Sequence, residues 1–257
     1  MSADFDPLNS QLLFKLPRCL HKKSGWTEHT PFAMFLVELL RPRVLVELGT
    51  QRGVSYLAFC HAVEELKLET RCSAVDTWKG DAHAGNYDES IYRELAGRHH
   101  RYESFSSLLR MTFDEALPKV ADASVDLLHI DGLHFYKAVK KDFDTWRPKL
   151  SDRGVVLFHD TVELARDFGV HQLWRELSPN FPSFNFEHGH GLGVLAVGPR
   201  PPAALLEFLA AANARPQEMR SLFSTLGRRV LLEAEQEWFS RQTPLVRALK
   251  GIKFKPL

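Results

Sequence analysis

A chain of 257 residues can bury one sizeable core, and its composition, 44% hydrophobic and 25% charged, is that of an ordinary globular protein. Its 33 basic and 32 acidic residues leave a formal charge of +1, which argues against a binder that tracks nucleic-acid phosphates. Three cysteines without metal spacing, no N-terminal export pattern and no run near the ~20 apolar residues of a membrane span point to a soluble, cytoplasmic protein.

Residues 31–40 read as a helix, with Thr30 at the N-cap and Pro31 at the first helical position. Residues 43–48 are an apolar run too short for a helix and ended by Gly49, and 53–68 carry apolar residues at helical spacing. A second strand at 71–76 is followed by a polar loop at 77–89 and a helix ending near Arg98. The third strand falls within 104–111, the fourth at 124–130, a helix at 134–150 and the fifth strand at 154–159. After a helix at 170–177, strands at 183–187 and 192–197 are too close for a helical crossover, so they form an antiparallel hairpin. The pattern predicts an α/β fold, a Rossmann-like doubly wound seven-stranded sheet with an antiparallel terminal hairpin. Residues 1–198 are read as this domain, N-terminal helix included, and 199–257 as an accessory helical tail. The last stretch, 244–257, sets four basic residues among apolar ones, which suits a weak membrane-surface contact, a plain chain end or a linker to a further domain.

Polar chemistry gathers where the strands end. In Glu47-Leu-Gly-Thr-Gln-Arg-Gly53 the glycine spacing is neither that of a dinucleotide loop nor that of a phosphate loop, so the ligand needs no phosphate cradle. Gly49 lets the chain turn out of the strand and Gly53 lets the next helix start close to a ligand. Glu47 suits an ammonium, while Ser55 and backbone N–H groups near Gly53 suit a carboxylate. Asp76 ends the second strand, where an acid accepts ribose hydroxyls. Trp78 can flank a purine, cover the site or pack in the core, and Thr112 and Asp114 fall where a purine edge would lie. A second group, Asp131 and His134 with His159 and Asp160, lies at the ends of adjacent central strands. Carboxylates and imidazoles converging there can act as a base or hold a divalent cation.

The phrases Val46-Glu-Leu-Gly-Thr-Gln-Arg-Gly-Val-Ser55, Ala74-Val-Asp-Thr-Trp78, Ile130-Asp-Gly-Leu-His134, Phe158-His-Asp-Thr161 and His188-Gly-His-Gly-Leu-Gly193 resemble the class I methyltransferases of the macrocin- and novobiocin-type sugar O-methyltransferase group. Within that group the resemblance is to a branch found beside, or fused to, bacterial polysaccharide glycosyltransferases, and it spans residues 26–198. It implies an S-adenosylmethionine donor and a hydroxyl acceptor, on a sugar of a surface polysaccharide or glycolipid. It puts Asp131 and Asp160 at the positions of two acids that hold Mg²⁺ or Mn²⁺ in metal-dependent relatives. His159 stands where those relatives carry a further acid or amide, which leaves a metal-free mechanism with a histidine base open. Asp131, His134 and His159 are the candidate catalytic groups. Asp81, His83 and Tyr87 in the 77–89 loop, and His188 and His190 in the hairpin turn, are the candidate acceptor-side groups. A homo-oligomer is expected. The rival readings are a non-catalytic methyltransferase-fold module of a glycan-assembly protein and an NAD-dependent oxidoreductase.

Overall fold

Helix α1 (Thr30–Leu40) leads into strand β1 (Val44–Leu48), and α2 (Val54–Glu65) follows it. After β2 (Arg71–Asp76) come two short strands, β3 (Gly80–Asp81) and β4 (Gly85–Asn86), then α3 (Glu89–His99) and β5 (Ser106–Arg110). The alternation continues through α4 (Phe113–Ala116), β6 (Val125–Ile130), α5 (Tyr136–Trp146), β7 (Leu150–His159) and α6 (Val170–Leu177). Strands β8 (Ser183–Phe186) and β9 (Leu192–Ala196) and helices α7 (Ala203–Ala214) and α8 (Pro216–Ser240) complete the described elements. This computed structural model describes residues 5–21, 24–165 and 167–241. The basic stretch 244–257 lies outside them.

The sheet runs β5-β2-β1-β6-β7-β9-β8. Strands β5, β2, β1, β6 and β7 pair in parallel, and β9 pairs antiparallel with both β7 and β8. The predicted terminal hairpin is therefore present, and β9 is the reversed strand. From β1 the chain winds outward first to β2 and β5, then in the other direction from β6, so β1 and β6 flank the switch point where open α/β sheets bind ligands.

Both faces of the central strands are buried, which is why they read as continuous apolar runs. Leu45, Leu127, Val155 and Leu157 face α1 and α2, whereas Val46, Leu128, Val156 and Phe158 face α5 and α6. Helices α7 and α8 join the first of these cores. Phe32 and Phe35 of α1, Phe186 of β8, Phe208 of α7 and Phe223 of α8 are all buried, with ring centroids 4.5–6.4 Å apart. Each such ring stabilises the fold by about 1.5–3 kcal/mol.

Some boundaries differ from the sequence pattern. Thr30 is the first residue of α1 and not its cap, because a 3-10 turn, Gly25–His29, runs directly into the helix. The Thr30 hydroxyl instead donates to the Thr27 carbonyl at 2.9 Å. The polar loop at 77–89 contains the small β3–β4 hairpin. Helix α5 starts at Tyr136, leaving His134 in the turn before it. Cys19, Cys60 and Cys72 are free thiols. Among the described residues no helix is long and apolar enough to cross a membrane.

Candidate active site

Strand register builds the site. Leu48 pairs with Val75 on one side and Ile130 on the other, and Ile130 pairs with Phe158. The next residue of each strand, Gly49, Asp76, Asp131 and His159, therefore stands in one row at the carboxyl end of the sheet. All four line a cavity of about 570 Å³, together with Ser55, Thr112, His134 and Asp160. The two groups that the sequence places at separate strand ends thus share one cavity.

At one end of the cavity the chain is held in a tight turn. Gly49 has φ +85°, and a Cβ there would lie 2.0 Å from the Asp131 carbonyl oxygen. Gly53 has φ +71° and abuts Leu95, so α2 starts close to the cavity. Asp76 Oδ2 accepts the Thr50 and Gln51 amides at 2.9 Å each, and Oδ1 accepts the Trp78 amide at 2.7 Å. A carboxylate offers about four acceptor sites, so roughly one remains for a ligand hydroxyl, where the sequence suggested two. Thr50 also lines the cavity, and its Oγ1 is buried without a hydrogen-bond partner among the described residues. Gln51, Trp78 and Asp160 all adopt positive φ, 46°, 51° and 61°. Backbone strain of this kind concentrates at ligand sites.

The other end carries charge. His134 Nδ1 lies 3.2 Å from Asp160 Oδ2, and His159 Nδ1 lies 3.4 Å from Asp131 Oδ1 and 3.5 Å from Asp160 Oδ1. Asp131, His134 and Asp160 each offer a ligand atom within 4.8 Å of the others. Burial works to raise the Asp131 carboxyl, but the neighbouring His159, His129 and His134 outweigh it and hold it well below the usual carboxylate range. Burial works against the His159 imidazolium, and the Asp131 and Asp160 charges overcome it and raise His159 well above its usual value. His159 Nε2 donates to the Gly189 carbonyl at 2.9 Å. The Phe168 ring stacks on His134 at 4.7 Å and 8°, fixing that imidazole in the turn.

Several predicted residues stand elsewhere. Glu47 is fully buried and bonds His129 Nδ1 at 2.8 Å, because it projects to the α1–α2 side of the sheet instead of upward into the cavity. Trp78 is buried too, its indole donating to the Gln51 carbonyl at 2.8 Å, so it props the turn from below. Asp81 and Tyr87 line the cavity, whereas the His83 ring packs on Phe135 and Phe168 at 4.4 and 4.6 Å. Asp81 also caps its own turn, accepting the His83 and Ala84 amides. Burial pushes the Tyr87 hydroxyl up to about 12. The hairpin turn does stand beside β7, with Asp160 N–H donating to the Gly191 carbonyl at 3.0 Å. Its histidines are not among the residues lining the cavity: His188 packs on the His29 ring at 4.5 Å, and His190 pairs with Glu163 at 2.9 Å, its ring 6.4 Å from that of His159. Asp114 is tied to Lys141 at the surface.

Sequence reasoning missed Ser24, Gly25 and Trp26, which wall the cavity from the 3-10 turn and the residue before it. It also missed Asp142, beneath the cavity floor, where a Cβ on Gly132 would come within 3.4 Å of its Oδ2. Burial raises the Asp142 carboxyl from 3.8 to about 7, with Lys141 opposing and Asp114 adding to the shift. Between about pH 4 and 7 the unfolded chain has lost a proton that the folded one keeps, so stability falls as pH rises through that window. Asp142→Asn should then be more stable than the parent by about 2–4 kcal/mol at pH 8 and much less so at pH 4. Urea unfolding at the two pH values reads the difference, and a pH-independent gap would reject it.

The seven-stranded sheet with its reversed strand gives the chain a Rossmann-like α/β fold with a cavity at the switch point. Residues 46–161 match the model of a family described as a methyltransferase domain. Over 197 residues, 77% of this chain, the sequence is 54% identical to an uncharacterized protein, y4gI, of Sinorhizobium fredii. The chain spans only 22% of that relative's length. Among solved structures, the O-methyltransferase TomG of Streptomyces achromogenes, in complex with SAM, is similar at 17% identity and a TM-score of 0.50, over 70% of this chain and 82% of TomG. A methyltransferase from Geobacter sulfurreducens is similar at 14% identity and a TM-score of 0.50, over 65% of this chain and 76% of its own. At these identities the likeness is one of fold.

Proposed function

We propose that this chain is an S-adenosylmethionine-dependent O-methyltransferase acting on a hydroxyl, and that the hydroxyl belongs to a sugar of a bacterial surface polysaccharide or glycolipid. One observation carries the reading: a single cavity is lined at one end by the Gly49–Ser55 turn and Asp76, and at the other by Asp131, His134, His159 and Asp160. The first group fits the donor. Gly49 and Gly53 bring backbone close to the ligand, Asp76 keeps an acceptor for a ribose hydroxyl, and the unpartnered Thr50 Oγ1 awaits a polar partner. Bound there, adenosylmethionine supplies an electrophilic methyl group. The second group fits the acceptor. Asp131, held well below the usual carboxylate range, is a weak proton acceptor and a good cation ligand. The base is then His134: its Nδ1 is turned to Asp160, which leaves Nε2 to take the acceptor's proton. A divalent cation on Asp131 and Asp160 would lower the acceptor's pKa.

The resemblance of its motifs to those of sugar O-methyltransferases supports the sugar acceptor. The greater length of the relative leaves room for a glycosyltransferase unit on the same chain or beside it. Calorimetry with adenosylmethionine and with NAD tests the donor, and labelled methyl transfer to nucleotide-sugar and oligosaccharide panels tests the acceptor. Binding of NAD alone would overturn the first part, and transfer confined to non-sugar hydroxyls the second. Asp76→Ala should weaken adenosylmethionine binding by about 1–3 kcal/mol in the folded variant, the cost of an unpaired buried polar group. Unchanged affinity would reject its ribose role.

A further inference from the structure

The geometry points to His159 as a nitrogen ligand of the cation site, which makes the site selective for a first-row transition dication such as Co²⁺, Zn²⁺ or Mn²⁺ over Mg²⁺. This rests on the reading of Asp131 and Asp160 as cation ligands. A carbonyl oxygen carries no proton, so the 2.9 Å contact between His159 Nε2 and the Gly189 carbonyl requires the hydrogen to sit on Nε2. Nδ1 is the nitrogen that faces the acids, and a cation bound there would take the place of the proton that the two carboxylates favour on it. Metal-binding imidazoles are oriented in this way, with the second ring N–H given to a carbonyl or carboxylate.

The surroundings of that carbonyl are closely packed. His29 Nε2 reaches the same Gly189 oxygen at 3.2 Å, and Gly189, at φ +54°, leaves no room for a side chain between Gly25 and His29. The His159 ring is 7% exposed and lies against Trp26 at 5.5 Å.

Distances give a second argument. His159 Nδ1 stands 3.4 Å from Asp131 Oδ1 and 3.5 Å from Asp160 Oδ1. Those separations exceed the ~2.7–2.9 Å of a charge-assisted hydrogen bond. These two edges compare with the roughly 3.3–3.4 Å that separates neighbouring ligands around a tetrahedral ion with bonds of about 2.0–2.1 Å, and both acids also belong, with His134, to a group whose ligand atoms all lie within 4.8 Å. Asp160 turns its other oxygen to His134, which keeps that histidine's separate role. Two carboxylates and one imidazole leave the remaining coordination open for an acceptor hydroxyl. Carboxylates alone would suit Mg²⁺, and an imidazole nitrogen shifts the preference to transition metals.

The test is metal binding to the whole chain, read by calorimetry with Mg²⁺, Mn²⁺, Co²⁺ and Zn²⁺ and by the visible spectrum of bound Co²⁺. Co²⁺ and Zn²⁺ should bind roughly 100-fold or more tightly than Mg²⁺. His159→Ala should weaken Co²⁺ binding more than about 10-fold and change its spectrum. His159→Asn, which sets an oxygen near the place of Nδ1 and guards against a folding defect, should narrow the gap between Co²⁺ and Mg²⁺. Equal affinity for Mg²⁺ and Co²⁺, or a Co²⁺ spectrum unmoved in both folded variants, would overturn the role of His159 and leave the cation site standing. Absence of binding by all four ions would overturn both, and adenosylmethionine binding measured alongside keeps the donor reading separate.

Discussion

Gly49→Ala should destabilise the fold by about 3 kcal/mol or more and abolish adenosylmethionine binding. Two penalties combine there. The φ of +85° is strained for any residue with a Cβ, at roughly 1–2 kcal/mol. The added methyl would also meet the Asp131 carbonyl oxygen at 2.0 Å and its carbon at 2.6 Å, backbone atoms that cannot rotate away. Relief requires β1 to part from β6 or β2, yet the Asp131 amide donates to the Leu48 carbonyl at 2.8 Å and the Gly49 amide to the Val75 carbonyl at 2.9 Å. Gly85→Ala is the internal control. Its φ is +76°, but a Cβ there meets nothing within 4 Å, so only the conformational strain remains. Denaturant unfolding of both variants separates the two costs, and equal losses would show that the close approach of β1 and β6 does not matter.

His134→Ala should slow methyl transfer by about 10²–10⁴-fold while leaving adenosylmethionine affinity nearly unchanged. The imidazole sits at the acid-rich end of the cavity, held by the parallel Phe168 ring at 4.7 Å and turned by Asp160 at 3.2 Å. It supports no strand, so its loss leaves the donor turn in place. Single-turnover kinetics with an acceptor that the parent protein methylates, together with calorimetry, check both halves. Turnover within a few-fold of the parent would assign the proton to another group.

Much of this was legible in the sequence because strand ends announce themselves. Apolar runs closed by Gly49, Asp76, Asp131 and His159 mark where chain leaves the sheet, and parallel register then aligns those residues without further information. What was not legible is which face a residue takes in a strand buried on both sides. Glu47 lies two residues before Gly49 and reads as part of the motif, but alternation turns it to the α1–α2 side, where His129 is its partner across the strands. Trp78 is a similar case, its direction set by a positive φ that no composition signals. The histidines at 188 and 190 sit among glycines in sequence, and the packing that receives His188 comes from His29, distant along the chain. Asp142 looks like an ordinary helix-surface acid until Gly132 and Phe113 close over it.

Gly227 in α8 packs so closely that a Cβ would lie 2.1 Å from the Glu28 carbonyl oxygen, which presses the late helix onto the 3-10 turn that walls the cavity. One wall of the cavity, Ser24 to Trp26, is therefore set by segments outside residues 46–161, with α8 behind it, while the Gly49–Ser55 turn and Asp76 lie wholly within the span that matches the methyltransferase-domain model. Under the proposed function, substitutions in these outlying segments would reshape that wall without touching the turn that is read as the donor site.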